Sequence, residues 1–455
     1  MSKFDRRNFL KISGITALGS SLLPFGNLGC GNRKSVPGET LYEIFKSPPS
    51  EYRPFVRWWW NGNRLEKQEI ERQLDLLNEA GIGGVEINPI AMPSDIAENP
   101  EESLTWLSDE WNEMVAFATT EASNRGMTSD MIVGAGWPFG GEFLSPEEQM
   151  KGVVLQKIEL EGPQTYRENL DNIIEIRNRP DESDDGNQQH GPEPELLFLR
   201  LAPEQIGSVT ECEDVTNEVG PDGSMALEVP EGRHVLYLGT IQKGITFREI
   251  TLGAPGSDGP CLDHYNNSAV LTYLNRVSDR LGPSLGGELG MQLRALFVDS
   301  IELSGSNWTQ DLPEQFRKRR GYELEPYYPF VFYENPYGGY SDPISFSHDL
   351  QDTVKRARYD YNHTLVELFL ERFVQTFHEW CESKDLLSRY QAYGLPWLMG
   401  MAEGYTIPDI PEANNWLFNR PPYVQGYNIW TKYASAGAHL TGKSTVSTEA
   451  MTNTR

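Results

Sequence analysis

Along the chain, apolar residues recur with two alternating periods, and this alternation predicts a parallel α/β sheet. Residues 55–60, 85–87 and 128–134 form short apolar or aromatic runs that have the length of buried strands. Between the first two runs, residues 66–79 repeat apolar side chains at helical spacing and stop at Gly81. Strand, helix and strand in this order is the pattern of βαβ units, whose strands pair in parallel.

The same rhythm resumes in the second half of the chain. It predicts strands at 293–298, 387–392, 399–402 and 444–448, and helices at 267–281, 314–320, 364–380 and 427–440. With the first three strands this makes about seven, whereas a closed (β/α) barrel has about eight. We therefore expect an α/β fold of the (β/α)8-type TIM barrel, either complete or incomplete at its C-terminus.

Residues 153–255 interrupt this rhythm with short alternating strands and turn residues such as Pro221-Asp222-Gly223. The strands predicted there are 153–160, 173–176, 196–201, 226–229 and 235–238. We interpret this stretch as a β-rich inserted domain. The predicted organisation is an export signal at 1–35, a first part of the barrel at 36–152, the insertion at 153–255, and the rest of the barrel at 256–455.

The N-terminus has the pattern of a twin-arginine export signal. Residues 5–11 read Asp-Arg-Arg-Asn-Phe-Leu-Lys, and a modestly apolar stretch follows at 12–25. Cys30 is a candidate for lipid attachment. We expect an exported protein that is either periplasmic or an outer-membrane lipoprotein. No apolar run reaches eighteen residues, so no transmembrane span is expected.

Composition narrows the class of partner. The net charge of −27 argues against nucleic acid, whose phosphates require a basic surface. The 11 Trp, 20 Tyr and 19 Phe residues are enough to supply stacking surfaces for sugars as well as a core. The remaining cysteines are too widely spaced for a zinc site, and no H-E-x-x-H or G-x-S-x-G motif occurs.

Carboxylates follow or lie within three of the predicted strands. Asp299 and Glu302 come after 293–298, Glu449 comes after 444–448, and Glu86 lies in 85–87. Barrel enzymes carry their catalytic groups at the carboxyl ends of strands. Cleaving a glycosidic bond needs one carboxylic acid for the leaving oxygen, and a second carboxylate that activates water or attacks the sugar. The competing interpretation of each residue is a helix cap or a surface ion pair.

Several motifs, in chain order, resemble family 106 of the glycoside hydrolases, the α-L-rhamnosidases. The resemblance is carried by Arg57-Trp58-Trp59-Trp60-Asn61-Gly62, Gly136-Trp137-Pro138, Asp299-Ser300-Ile301-Glu302, Asn307-Trp308-Thr309, Asp409-Ile410-Pro411-Glu412 and Val446-Ser447-Thr448-Glu449. It spans residues 54 to 451. Members of this family usually continue beyond this point, which implies that the chain is truncated at its C-terminus.

The resemblance implies an inverting α-L-rhamnosidase acting on rhamnose-containing plant or bacterial polysaccharides or oligosaccharides. It places the general acid at Glu302 and the general base at Glu449, and inversion would put their carboxyl groups about 6.5–9.5 Å apart. The residues expected to bind substrate are Trp60, Asn61, Glu86, Trp137, Asp299 and Trp308. The alternatives are a glycosidase of another specificity and a non-catalytic carbohydrate-binding homologue.

The resemblance also implies a bound Ca²⁺ that holds the hydroxyl groups of the sugar. Calcium takes about six to eight oxygen ligands. The chain has no D-x-D-x-D-G loop, so the ligands would have to come from several strand ends. Glu86, Asn88, Asp299 and Asp409 are candidates by position, and the ligand set is left open.

Overall fold

The structure is a computed structural model, and it describes most of the chain beyond the N-terminal segment. The described residues are 38–93, 96, 102–174, 192–245, 247, 249–332, 345–394, 396–397, 401–415 and 424–450. The chain divides into two units, residues 1–52 and 53–455. The predicted export signal and Cys30 lie outside the described residues. In the first unit, a short helix precedes a single 3₁₀ turn at Ser50–Tyr52.

The bounds of the elements are as follows. In chain order the strands are β1 (Phe55–Asn61), β2 (Gly84–Ile90), β3 (Thr128–Ile132), β4 (Lys151–Asn169), β5 (Glu195–Pro203), β6 (Gln205–Ile206), β7 (Glu213–Asp214), β8 (Ser224–Lys243), β9 (Ala295–Val298), β10 (Ser345–Phe346), β11 (Leu387–Gln391), β12 (Ile410–Asn415) and β13 (Ser447–Ala450). The helices are α1 (Gly38–Lys46), α2 (Lys67–Glu79), α3 (Asp109–Asn124), α4 (Leu170–Ile173), α5 (Asn267–Leu281), α6 (Leu312–Arg320), α7 (Tyr328–Val331), α8 (His348–Phe369), α9 (Gln375–Ser383), α10 (Met401–Gly404) and α11 (Val424–Leu440).

Local sequence explains where the main helices begin and end. The Ser108 hydroxyl accepts a hydrogen bond from the Trp111 backbone N–H at 3.2 Å and so caps α3. The Asn266 side chain caps α5 in the same way. Helix α6 ends at Gly321, whose φ of 81° lies in the left-handed region that favours glycine.

Seven strands form a parallel sheet in the order β1-β2-β3-β9-β11-β12-β13. The TIM-barrel prediction is wrong. The sheet has two outermost strands, β1 and β13, and no eighth strand joins them among the described residues. The helices are also too few, because β11 is followed by the four-residue α10 in place of a full crossover helix.

The sheet is nevertheless strongly rolled. If it were flat, strands spaced about 4.8 Å apart would place β1 and β13 about 29 Å apart. Yet the guanidinium of Arg57 on β1 lies 3.7 Å from the carboxylate of Glu449 on β13. The two side chains can meet only across the inside of a half-barrel, which therefore brings side chains from distant strands together.

The sixth strand of this sheet differs from the sequence-based assignment. Residues 399–402 were predicted to be a strand, but α10 begins there and the strand is β12. Its sequence, Ile-Pro-Glu-Ala-Asn-Asn, has no apolar run. Glu412 and Asn414 of β12 face the inside of the half-barrel, so the hydrophobic pattern did not reveal the strand.

Between β3 and β9, the chain forms a second sheet with the antiparallel order β4-β8-β5-β7. It has its own apolar cluster, which includes Leu199, Leu236 and Leu238. The strands predicted at 226–229 and 235–238 are parts of the single strand β8, and the strand predicted at 173–176 is wrong at its start, where α4 ends. The boundaries proposed for an inserted domain stay a prediction.

The two faces of the parallel sheet differ in chemistry, as β1 shows. Trp58 donates a hydrogen bond to Gln73 of α2 at 2.6 Å, and the Trp60 ring packs edge-on against Trp111 of α3 with centroids 6.0 Å apart. Arg57 points to the opposite face, because side chains alternate along a strand. The helices therefore cover the tryptophan face, and the inside of the half-barrel receives the polar side chains.

Two further features concern the helices and the cysteines. None of the described helices is long and apolar enough to cross a membrane. Cys212, Cys261 and Cys381 are buried, and no disulfide joins them.

Candidate active site

Polar side chains from six strands, or from the residue that follows a strand, line the inside of the half-barrel. We call this set the polar face; it comprises Arg57, Glu86, Asp299, Arg389, Gln391, Glu412, Asn414 and Glu449. Because the strands are parallel, their carboxyl ends share one edge of the sheet. Asp299, Asn414 and Glu449 lie at this carboxyl edge, where α/β enzymes bind their ligands.

Arg57 is the central cation of the polar face. Its Nε lies 3.0 Å from Glu86 Oε1, and its Nη1 lies 3.0 Å from Asp299 Oδ2. The same Nη1 lies 3.7 Å from Glu449 Oε1, and Nη2 lies 3.6 Å from Glu412 Oε1. One guanidinium thus connects carboxylates carried by four strands, and it brings Asp299 and Glu449 to the same nitrogen.

Arg389 is the second cation. Its Nη1 lies 2.5 Å from Glu86 Oε2, and its Nη2 is paired with Glu412. The Phe297 ring lies between the two guanidinium groups, with its centroid 5.0 Å from Arg57 Cζ and 4.4 Å from Arg389 Cζ. Stacking on an aromatic face holds each guanidinium in place without adding another charge.

The carboxylates of the polar face differ in charge state. Burial raises the pKa of Asp299 to about 7, and the nearby Glu449 and Glu412 carboxylates add to this, against the opposing pull of Arg57. Burial also raises the pKa of Glu412. For Glu86 burial acts in the same direction, but the Arg389 and Arg57 guanidinium groups outweigh it and lower the pKa. Five carboxylates, counting Asp130 at 3.7 Å from Arg389 Nη1, approach the two guanidinium groups, and this excess of negative charge favours bound protons within the cluster.

Glu449 is held by amide groups. The side-chain N–H groups of Gln391 and Asn414 both donate to Glu449 Oε2, at 3.0 and 3.1 Å. The Asn414 amide also donates to Gln391 Oε1 at 3.2 Å, which links the two amides. The carboxylate is partly exposed, with 23% of its side chain accessible.

Glu302 follows β9 in a strained turn. Its φ of 48° lies in the left-handed region, which is uncommon for a residue other than glycine. The Ser300 hydroxyl donates to Glu302 Oε1 at 3.2 Å. A Cβ added to Gly394 would lie only 2.6 Å from Glu302 Cγ, so Glu302 packs directly against the backbone after β11. Strain of this kind is frequent at functional sites.

The structure brings together some of the residues predicted to bind substrate and separates others. Glu86 and Asp299 lie on the polar face beside Arg57. Trp60 is only 3% exposed and packs on the helix-covered face. Trp308 is 4% exposed and packs edge-on against Tyr328 and Phe332.

Two others lie near the carboxyl edge without a contact to the polar face among those described. Asn61 is the exposed last residue of β1. Trp137 is partly exposed and exchanges backbone hydrogen bonds with Thr251. The roles assigned to Glu302, Glu449 and the six substrate-binding residues stay predictions.

Sequence reasoning missed several members of the polar face. Arg389 and Gln391 on β11, and Asn414 on β12, were not selected as site residues. Trp59, which is 43% exposed on the same side of β1 as Arg57, was not selected either. The available signal was alternation, because both β11 and β12 place two polar residues at positions i and i+2.

The residues proposed as calcium ligands do not converge. Within the described part of the chain, no group of three His, Cys, Asp or Glu side chains is arranged to hold a metal ion. Glu86 and Asp299 are bound to Arg57, so a guanidinium already occupies the position between them. Asp409 precedes β12 and lies at the opposite, amino edge, bonded to Ser388. These residues do not fit a calcium site, and we derive no step through the ion.

Comparison with known proteins adds independent evidence. The family model of glycoside hydrolase family 106, described as alpha-L-rhamnosidase, matches residues 46–195 and 200–455. A curated relative from Formosa agariphila, named "Putative beta-glucuronidase", is 23% identical over 441 residues, which cover 92% of this chain and 35% of that protein.

A solved structure, that of a rhamnosidase from Novosphingobium sp. PP1Y, is similar in fold. It has a TM-score of 0.61 at 19% identity, and the match covers 90% of this chain and 53% of that one. The present chain therefore spans about a third to a half of the length of these two proteins.

Proposed function

The chain belongs to the alpha-L-rhamnosidase family 106 of the glycoside hydrolases, and from this membership we propose that the protein hydrolyses terminal α-L-rhamnosides with inversion. The proposed substrates are rhamnose-containing plant or bacterial polysaccharides and oligosaccharides. The proposed place of action is the periplasm or the outer membrane, after export directed by the twin-arginine segment at residues 5–11.

One structural observation supports the assignment more than any other: the end of β11 and the segment just after it contact both proposed catalytic glutamates. Gln391 donates to Glu449 at 3.0 Å, and Gly394 lies against Glu302. An inverting glycosidase needs two carboxyl groups that flank one bond of the substrate. A shared neighbour at the carboxyl edge is the arrangement expected of such a pair.

In the proposed reaction, Glu302 donates its proton to the leaving oxygen while Glu449 accepts a proton from the attacking water. The water oxygen forms a bond to the anomeric carbon as the bond to the leaving oxygen breaks, which inverts the carbon. Arg57 Nη1 contacts both Asp299 and Glu449 and so keeps the two carboxylates side by side. Asp299 and Arg57 thereby set the local charge without taking part in bond making.

A panel of aryl glycosides tests the proposal. The purified protein is expected to release the phenol from an aryl α-L-rhamnoside, and Glu302→Gln is expected to lose activity most on substrates with poor leaving groups, because these need the acid. Proton NMR of the first-formed sugar distinguishes inversion from retention. Unchanged turnover in Glu302→Gln would remove the acid assignment, and first-formed α-rhamnose would remove inversion.

The sugar specificity has a second candidate, because the curated relative carries the name of a β-glucuronidase. An aryl β-D-glucuronide therefore belongs in the same panel. Turnover of that substrate alone would favour a glycosidase of another specificity. Sugar binding without turnover of any substrate would favour a non-catalytic carbohydrate-binding homologue.

Calcium remains a separate proposal that rests on the family resemblance. Activity that falls with EDTA and returns with Ca²⁺, but not with Zn²⁺, would support it. Activity that is unchanged by chelation would reject it and leave the two-carboxylate reaction intact.

A further inference from the structure

The two oxygens of Glu449 have different surroundings. Oε2 accepts hydrogen bonds from Gln391 and Asn414, whereas Oε1 faces Arg57 Nη1 at 3.7 Å, beyond normal hydrogen-bonding distance. We propose that Gln391 and Asn414 are positioning residues that hold Oε2, so that Oε1 is the atom that takes the proton from water. This inference rests on the proposed function and names the working oxygen and the residues that select it.

The orientation of both amides follows from their partners. Gln391 Nε2 lies 3.3 Å from Glu412 Oε1 and 3.0 Å from Glu449 Oε2, so a flipped amide would place oxygen against two carboxylates. Asn414 Nδ2 lies between Glu449 Oε2 and Gln391 Oε1. Both side chains are buried, Gln391 completely and Asn414 to within 4%. A buried and linked pair of donors has little freedom to turn away.

The hydrogen-bonding capacity of a carboxylate explains the selection. Each carboxylate oxygen has about two lone-pair sites. Two amide N–H groups occupy those of Oε2, which leaves this oxygen poorly placed to accept a proton as well. Oε1 has no such amide donors among the described residues. When Oε1 accepts the proton, the water oxygen bonds to the anomeric carbon, and the proton of Glu302 leaves with the aglycone oxygen.

The charged groups that face Glu449 come from three elements. They are Arg57 on β1, at 3.7 Å, and Asp299 after β9 and Glu412 on β12, which both pair with the same guanidinium. Changing Asn414 to Asp replaces a donor by a carboxylate directly beside Oε2. The charged form of Glu449 becomes less favourable, so the acidic limb of the activity profile should move to higher pH.

The experiment compares Asn414→Asp and Gln391→Glu with wild-type enzyme on the aryl glycoside that it hydrolyses. Each variant is expected to lose about 10- to 100-fold in kcat, which is part of a general base's usual contribution, with little change in KM. The acidic limb of kcat/KM is expected to rise by about one pH unit. Asn414→Ala, which removes the donor without adding charge, is expected to lower kcat with a smaller change in the profile.

Asn112→Asp is the matched control. Asn112 is a buried asparagine on α3 whose amide donates to the Arg280 carbonyl at 2.9 Å, on the helix-covered side of the sheet. It should lose thermal stability and keep the wild-type pH profile. If Asn414→Asp and Gln391→Glu match this control, with only Tm lowered, the positioning role is rejected. If either variant fails to fold, Asn414→Ala decides the question by its kcat-to-KM split.

The outcome is separable from that of the proposed function. Wild-type turnover, and its loss in Glu449→Gln, test the function itself. ¹³C NMR titration of the glutamate carboxyl groups, with Glu449→Gln to assign the signal, follows Glu449 without any need for activity. An unchanged Glu449 titration in Asn414→Asp would overturn the inference even in an active enzyme.

Discussion

The amino edge and the carboxyl edge of the parallel sheet each carry a buried or half-buried aspartate, and the pKa values of these two aspartates differ sharply. At the amino edge, Asp409 accepts hydrogen bonds from the backbone and the hydroxyl of Ser388, both at 2.9 Å, and lies 3.4 Å from His378 Nδ1. Burial raises its pKa, but these partners outweigh burial and hold the pKa at about 2. At the carboxyl edge, the pKa of Asp299 is raised to about 7.

The difference lies in the balance of partners. One acid, one imidazole and one serine satisfy each other at the amino edge, as in a structural ion pair. Beside the carboxyl edge, Asp299 belongs to a cluster in which five carboxylates approach the guanidinium groups of Arg57 and Arg389, and this excess of negative charge favours protonation. Unsatisfied titratable groups of this kind are concentrated at functional sites. The comparison therefore marks the carboxyl edge as the working edge.

The largest effect should come from removing the central cation. Arg57→Met leaves Asp299 without its guanidinium partner, and breaking a buried ion pair costs about 3–5 kcal/mol. Glu86 and Glu412 keep their contacts with Arg389. Urea denaturation should show this loss in the free energy of unfolding. Arg125→Met is the control, because Arg125 pairs with partly exposed acids and should cost about 0–1 kcal/mol. Equal costs would mean that the polar face does not depend on Arg57.

The next effect concerns Glu302. Gly394→Ala should displace the Glu302 side chain, because the new Cβ would meet its Cγ at 2.6 Å. Misplacing a catalytic group by about 1 Å can cost about 100-fold in rate. Gly126→Ala is the control, since Gly126 also has a positive φ of 68° but no atom within 4 Å of the added Cβ. Both variants carry the cost of a side chain at positive φ, only Gly394→Ala adds the clash, and only Gly394→Ala should lose turnover of the aryl glycoside. Equal turnover in the two would detach Glu302 from the site.

The sequence predicted the carboxyl-edge acids better than the strands that carry them. Asp299 follows an apolar run and Glu449 follows the β-branched stretch 444–448, so strand-end reasoning found both. Strand β12 escaped because it has no apolar run. Pro411 and Ala413 lie on its outward side, and after Ile410 its inward side continues with the polar Glu412 and Asn414. Roll and closure of the sheet escaped for another reason. They depend on which strands pair over long distances along the chain. A count of predicted strands does not show whether an eighth strand closes the sheet into a barrel.

A smaller effect is the pH dependence of stability at Asp299. A folded-state pKa of about 7, against about 4 in an unfolded chain, means that the folded protein binds the extra proton. Its contribution to stability is present below about pH 4 and is lost as the pH rises towards 7. Asp299→Asn cannot titrate. The stability of this variant relative to wild type should therefore increase from pH 4 to pH 6, as followed by Tm.

Asp409→Asn supplies the opposite case for that measurement. The depressed pKa of Asp409, about 2, confines its contribution to stability to pH values above about 4, and this contribution is lost as the pH falls towards 2. Between pH 4 and pH 6, the offset between Asp409→Asn and wild type should stay constant. If the Tm difference from wild type rose with pH in both Asp299→Asn and Asp409→Asn, the two edges would not differ in charge balance.

The smallest effect should come from His378 at the amino edge. Its hydrogen bond with Asp409 raises the pKa of His378 above the ordinary value. Because the folded pKa is raised, the stabilisation is fully present below about pH 6.5 and is lost as the pH rises through the folded pKa. His378→Gln should therefore lower Tm at pH 5.5 and have less effect at pH 8.5, with turnover unchanged at both. His234→Gln is the control for the loss of a histidine away from both edges: the His234 ring, on β8, lies 3.3 Å from the Gly232 backbone carbonyl. Loss of turnover in His378→Gln would mean that the amino edge also supports the reaction, and the contrast between the edges would then fail.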